Sequence, residues 1–255
     1  MSIARGAGAL VGLALVGALL TACVTATTAE PSVSTLPSSP PAAPDAPSPT
    51  PAIDPIDTVE TIVVRPETIE LRDDTGAVVL ELDYLEDVPE AIATIERVIG
   101  IAPVSEEHPA SNHHPPSTVH RWGGLEIWEQ RYVDYQATGS DYVYRWSEFA
   151  DHERTLARPA FKAVLIGPDA DDIALTTDDG IVAGSAWVDL EATPELQINP
   201  SGCSGPYLDY TVHEEIWPDG TVHDKRYAVD FTESEDGTSI AWVRAPVPIH
   251  EDGCA

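Results

Sequence analysis

Positive charge is scarce in this sequence. Lys and Arg together number 13 against 43 Asp and Glu, a formal net charge of −30 over 255 residues. Lysine occurs only at Lys162 and Lys225. So few cations leave little to neutralise phosphates, which argues against nucleic acid as a partner and against docking on anionic lipid headgroups. The same imbalance keeps a surface protein soluble. Cysteine is nearly lacking as well: there are three, with no C-x-x-C spacing to suggest a metal pair. No phosphate-binding loop or dinucleotide fingerprint is found. Gly184-Ser185-Ala186 is not a G-x-S-x-G elbow. With 43 acids, any pair of carboxylates is uninformative as a catalytic signature. No cofactor is expected.

What is present begins at the N-terminus. Residues 1–22 have one positive charge (Arg5), an apolar core from Ala9 to Leu20, and small residues before a cut. Those small residues run straight into a cysteine, and Leu20-Thr21-Ala22-Cys23 resembles the bacterial lipobox. Residues 1–22 therefore read as a lipoprotein signal peptide and Cys23 as the lipidation site. A plain signal peptide with a chance cysteine, or an N-terminal membrane helix, is the alternative, but the run is short of the ~20 apolar residues a span needs. Two acyl chains on one cysteine hold a membrane stably where one does so marginally. The reading predicts a protein anchored through lipid to the outer face of the cytoplasmic membrane. With Cys23 assigned to lipid, Cys203 and Cys254 remain. In an oxidising compartment an even remainder reads as one disulfide, closing a long loop at a value of roughly 4 kcal/mol, the alternative being two buried free thiols.

Residues 23–57 carry Pro31, Pro37, Pro40, Pro41, Pro44, Pro47, Pro49, Pro51 and Pro55 among Ser, Thr and Ala. They show no period that would bury a face, so they read as an extended, disordered stalk. The head is expected over residues 58–255. Ile69 to Leu71 and Val78 to Tyr84 alternate around Asp73-Asp74-Thr75-Gly76, a hairpin signal. A helix is predicted from Asp87 as N-cap, with Ile92, Ile95, Val98 and Ile99 on one face and Gly100 as its stop. Residues 105–117 read as a polar, Pro-rich loop holding His108, His113 and His114. A second hairpin is predicted around Gly123-Gly124, and further strands over 142–146 and 161–166. Strands over 208–217, 222–231 and 238–243 close the chain.

Ile173, Leu175, Asp178, Gly180 and Val182 echo Ile69, Leu71, Asp74, Gly76 and Val78 at a constant offset. The expected fold is α+β, an antiparallel sheet with one or two helices on a face. The echo suggests two similar halves, 58–166 and 167–255. An all-β sandwich is the alternative. The lipobox, the stalk, Arg121-Trp122-Gly123-Gly124-Leu125, Thr177-Asp178-Asp179-Gly180-Ile181 before Ala183-Gly184-Ser185, and Gly253-Cys254 together resemble cell-envelope lipoproteins of high-GC Gram-positive bacteria. The hairpin-helix-sheet order is more distantly similar to beta-lactamase-inhibitor-like folds. The resemblance implies fold and location and supplies no catalytic residues. A weak second helix, interrupted by Pro194, departs from it.

His108 with the adjacent His113 and His114 could bind a metal on a flexible loop, but adjacent histidines on a loop rarely point the same way and no carboxylate sits at ligand spacing. His213 and His223, on facing strands of a hairpin, are weak candidates for a surface zinc site, the alternative being solvated strand residues. Asp169, Asp171 and Asp172 lack the glycine and closing glutamate of a calcium loop. Of the tryptophans Trp122, Trp128, Trp146, Trp187, Trp217 and Trp242, most are expected in the core, with one or two left to grip sugar rings or a partner protein. The layout predicts a non-enzymatic binding or structural module of the envelope, with a protein or glycan partner. The competing class is a secreted hydrolase of wall polymer. An aromatic groove with two inward acids favours the hydrolase, and its test residues are His120, His213, Glu215 and His223.

Overall fold

A computed structural model of the chain describes residues 53–111, 114–132, 154–199, 201–216 and 220–250. Cys23 and the Pro-rich stretch up to residue 52, His113, the strand expected over 142–146, Trp217 and Cys254 lie outside the described residues. All the described residues belong to one compact unit, Thr50–Ala255.

Packing begins inside the segment read as stalk. A 3-10 turn spans Pro55–Thr58, its Asp54 cap accepting from the Ile56 amide at 3.2 Å, and Ile56 is buried. Arg97 reaches Asp54 and Asp57 at 2.9 and 2.7 Å. These pairs are exposed, so they orient the turn more than they stabilise it.

The first hairpins form where alternation and turn chemistry predict them. Strands β1 (Val59–Val64), β2 (Thr68–Asp73) and β3 (Val78–Asp83) make an antiparallel meander. At the β2–β3 turn the Asp73 carboxylate accepts from the amides of Thr75 and Ala77, each at 2.9 Å, and Gly76 takes a positive φ. Helix α1 (Val88–Ile99) starts at Asp87 and ends on Gly100 at φ 82°. Its buried stripe is Val88, Ala91, Ile95 and Ile99, while Ile92 and Val98 sit at the margins of the core. Strands β4 (Val104–His108), β5 (Ser117–Trp122), β6 (Leu125–Gln130) and β7 (Phe161–Leu165) follow. The start of the expected 105–117 loop is therefore an edge strand, paired with β5 from Val104↔Arg121 to His108↔Ser117. Its side chains are mostly exposed, so it carries no hydrophobic pattern to read.

Strands β8 (Asp169–Ala170) and β9 (Ile173–Thr177) form a tight pair, and Asp169 to Asp172 is its charged turn. The second helix, α2 (Trp187–Glu191), has only five residues. Three long strands finish the fold: β10 (Tyr207–Ile216), β11 (Val222–Glu233) and β12 (Ile240–Ile249).

These strands make two sheets. The smaller has the order β3-β2-β1-β9-β8, and the larger has β10-β11-β12-β7-β6-β5-β4. The larger sheet is antiparallel throughout, whereas β1 and β9 of the smaller sheet run parallel. One contiguous apolar core joins inward residues of both sheets with α1, including Ile62, Leu71, Leu175, Trp122, Ile127 and Phe161. The fold class is thus α+β, with two sheets where one was expected. Both sheets draw strands from 58–166 and from 167–255. The echoing segments, β2 and β9, flank β1 in the same sheet. Among the described residues no helix is long and apolar enough to cross a membrane.

Candidate binding groove

The β11–β12 register sets Asp230 opposite Arg244 and Thr232 opposite Trp242. Alternation then places these four on the face of the larger sheet away from Phe231 and Val243, which are fully buried in the core. Asp230 is itself fully buried. Arg244 answers it with two parallel bonds, Nε to Oδ1 at 2.9 Å and Nη2 to Oδ2. This bidentate geometry is the strong form of a charge-assisted bond. The Gly205 amide donates a third, longer bond to Oδ2 at 3.4 Å.

Residues 202–206 form one wall beside this pair. Buried Asn199 organises it, donating to Ser204 Oγ at 2.8 Å and accepting from Ser201 N at 3.1 Å. The Phe231 amide donates to Pro206 O at 2.9 Å, which seats the turn on β11. The approach is so close that a Cβ on Gly205 would lie 1.8 Å from Phe231 O, so only glycine fits. Cys203 lies in this turn and is not a free thiol. Cys254 is outside the described residues, so the proposed pairing is taken up below.

Trp187 forms the opposite wall. Its amide donates to Thr238 O at 3.0 Å, and Gly184 and Ile240 are joined by a 2.8 Å backbone bond. Between the walls lies a cleft of about 420 Å³, open to solvent, with Trp242, Arg244 and Glu233 along it. Trp242 is 47% exposed. Of the charged side chains lining the cleft, Arg244 is bonded to Asp230 and Glu233 stands exposed at the rim.

Lys162 of β7 lies near this pair. Burial pushes its amine down to about 8, the Arg244 charge pushes the same way, and Asp230 opposes them. A second polar network clips β10 to the smaller sheet. Arg65 meets Asp178 at 2.6 Å and Asp209 at 2.8 Å, and Arg72 meets Asp178 at 2.7 Å. Bonding to Arg72 and the nearby Arg65 charge hold the Asp178 carboxyl below its usual range. Burial raises that of Asp209 despite Arg65.

The residues singled out from sequence are scattered. His213 meets Glu67 Oε1 at 2.7 Å, and His223 meets Thr221 Oγ1 at 2.9 Å. In the ladder His213 faces Lys225 and His223 faces Glu215, so the two histidines are diagonal and bound elsewhere. His120 lies 2.9 Å from Ser105 Oγ. None of the three lines the cleft. His108 and His114 pack their rings on Trp128. No group of three metal-ligating side chains occurs among the described residues. Trp122 is core and donates to Ile101 O at 2.9 Å; Trp187 is half-buried against the core at the cleft wall, and Trp242 is the exposed one. The Asp230–Arg244 pair was not anticipated. Its signal is the Trp242-Val243-Arg244 alternation, which puts indole and guanidinium on one face. Comparison with protein families, with curated proteins and with solved structures finds no match to this chain.

Proposed function

We propose that this chain is a membrane-anchored extracytoplasmic lipoprotein whose head is a non-enzymatic binding module of the cell envelope. The observation that carries the binding reading is the cleft with Trp187 and Trp242 on its walls and a rigidly held Arg244 on its floor. Aromatic surface with a few fixed polar groups is what a ligand site requires. The cleft is aromatic, but its described lining residues do not supply the two working acids of a glycoside hydrolase. Both Asp230 oxygens are occupied by Arg244, which among the described lining residues leaves Glu233 as the acid free to act there. That argues for binding over turnover.

The anchor reading is supported by the Leu20-to-Cys23 motif and the Pro-rich stretch after it. Cys23 carries the lipid, the chain faces outward from the cytoplasmic membrane, and the partner is an envelope protein or glycan. Cys203 and Cys254 form the disulfide, which would brace the 202–206 wall. Two variants of the full-length protein test the proposal. Cys23→Ala should move it from the detergent phase to the aqueous phase on phase separation, and unchanged partition contradicts the anchor. Trp187→Ala should reduce capture of isolated envelope material by the purified protein, and full capture contradicts the groove.

A further inference from the structure

We propose that the groove takes an uncharged glycan, with one sugar ring seated on the Trp242 indole. This rests on the reading above that the groove is the binding site, and it names the class of ligand.

The first support is the placement of Trp242. Its strand neighbours Val243 and Ala245 are fully buried, yet its own large ring is 47% exposed beside a cleft. An apolar ring face held in water at the mouth of a cleft has a natural complement in the C–H face of a pyranose, which is flat, apolar and rimmed by hydroxyls. The second support is the fixed polar floor. Asp230 takes Nε and one Nη2 hydrogen of Arg244, and a guanidinium has five N–H donors. The rest remain for a ligand, on a side chain that is 34% exposed and cannot swing away. Trp242 and Arg244 are two residues apart on one strand, which sets them ~7 Å apart along it. A ring stacked on the indole therefore brings its hydroxyls, or those of the next sugar, towards the guanidinium. Thr232 and Glu233 add a hydroxyl and an acceptor on the neighbouring strand.

The third support is charge, and it selects among glycans. Asp230 cancels Arg244, so among the described residues lining the cleft the net charge is that of the Glu233 carboxylate. The whole chain carries −30. An anionic polymer is repelled by both, and one rim acid is a poor match for a polycation. A neutral, hydroxyl-rich chain fits both the local and the global balance. The cleft of about 420 Å³ is open to solvent, and its size is in the range of small-ligand sites, roughly 300–1,000 Å³. That shape suits a polymer lying across it better than a molecule enclosed by it.

The test titrates detergent-solubilised full-length protein with four probes: the tetrasaccharides of N-acetylglucosamine and of glucose, a galacturonate tetrasaccharide, and a lysine-rich peptide. Binding is followed by calorimetry. At least one uncharged tetrasaccharide should bind, Trp242→Ala should weaken it at least tenfold, and the unfolding midpoint of that variant should hold. Binding of the galacturonate or the peptide alone, still lost in Trp242→Ala, overturns the glycan class and leaves the groove as a binding site. Equal binding of the uncharged probes by wild type and Trp242→Ala overturns the groove itself. Binding of neither uncharged probe overturns the proposal.

Discussion

Two acid–arginine pairs lie in one row across the outer face of the larger sheet, and they are finished differently. The ladder runs Arg121–Glu126–Val164–Arg244–Asp230. Each pair has a tryptophan two residues along the strand from one of its members, Trp128 beside Glu126 and Trp242 beside Arg244. At the first end everything is closed. Trp128 donates its indole N–H to Glu126 Oε2 at 2.8 Å, and the rings of His108 and His114 pack against it. At the second end the acid is buried more deeply, yet no ring packs on Trp242 among the described residues, and a cleft opens beside it. The same local device is a structural seam at one end and a presented surface at the other. The difference lies in what covers the tryptophan.

The largest expected effect breaks the deeper pair. Asp230→Ala leaves the Arg244 cation partly buried without its partner, a change that costs about 3–5 kcal/mol. Glu126→Ala should cost less, about 1–3 kcal/mol, because the Arg121 side chain is 43% exposed and regains water. Urea unfolding of both variants compares them, and a larger loss for Glu126→Ala would reverse the ranking of the two ends. Next is Gly205→Ala. The added Cβ meets the Phe231 carbonyl, so the wall must move, at about 1–3 kcal/mol and with altered Trp242 fluorescence. An unchanged emission spectrum would show that the wall does not shape the cleft.

Lys162→Met has the opposite sign. The folded amine sits near 8 against 10.5 for an ordinary lysine. Below about pH 8 the ammonium is held in both states, and its burial is a standing penalty. Between 8 and 10.5 the unfolded chain binds the proton more tightly, so wild-type stability rises with pH through that window. The variant should therefore be more stable at pH 7 by about 1–3 kcal/mol, and its advantage should shrink from pH 8 to 10.5. An advantage that does not change with pH would assign the gain to packing alone.

Much of this fold was readable in the sequence where local chemistry and burial agree. The Asp73–Gly76 turn, the helix from Asp87 to Gly100 and the Gly123-Gly124 hairpin have both a turn residue and a buried face. Strand β4 was read as loop because an exposed edge strand need carry no hydrophobic pattern, and its Val-Ser-Glu-Glu-His sequence has no buried face to betray it. The groove was half legible. One or two tryptophans were expected on an open face, but that Trp242 is the exposed one depends on the register of β11 against β12 and on the turn that Gly205 allows onto Phe231. Neither is written in the spacing of one segment. Asp230 was hidden for a related reason: in Val229-Asp230-Phe231 a fully buried acid looks like a solvated one until its arginine, on the next strand, is brought opposite.

The contrast between the two ends is tested most directly by replacing their tryptophans one at a time and measuring envelope capture beside unfolding free energy. Trp128→Ala should lower stability by about 3 kcal/mol or more, as a packed aromatic does, while the folded fraction keeps its capture. Trp242→Ala should change stability by less than about 1 kcal/mol, in line with its exposure, and should lose most of the capture. Full capture by Trp242→Ala, with the loss falling on Trp128→Ala instead, would contradict the account.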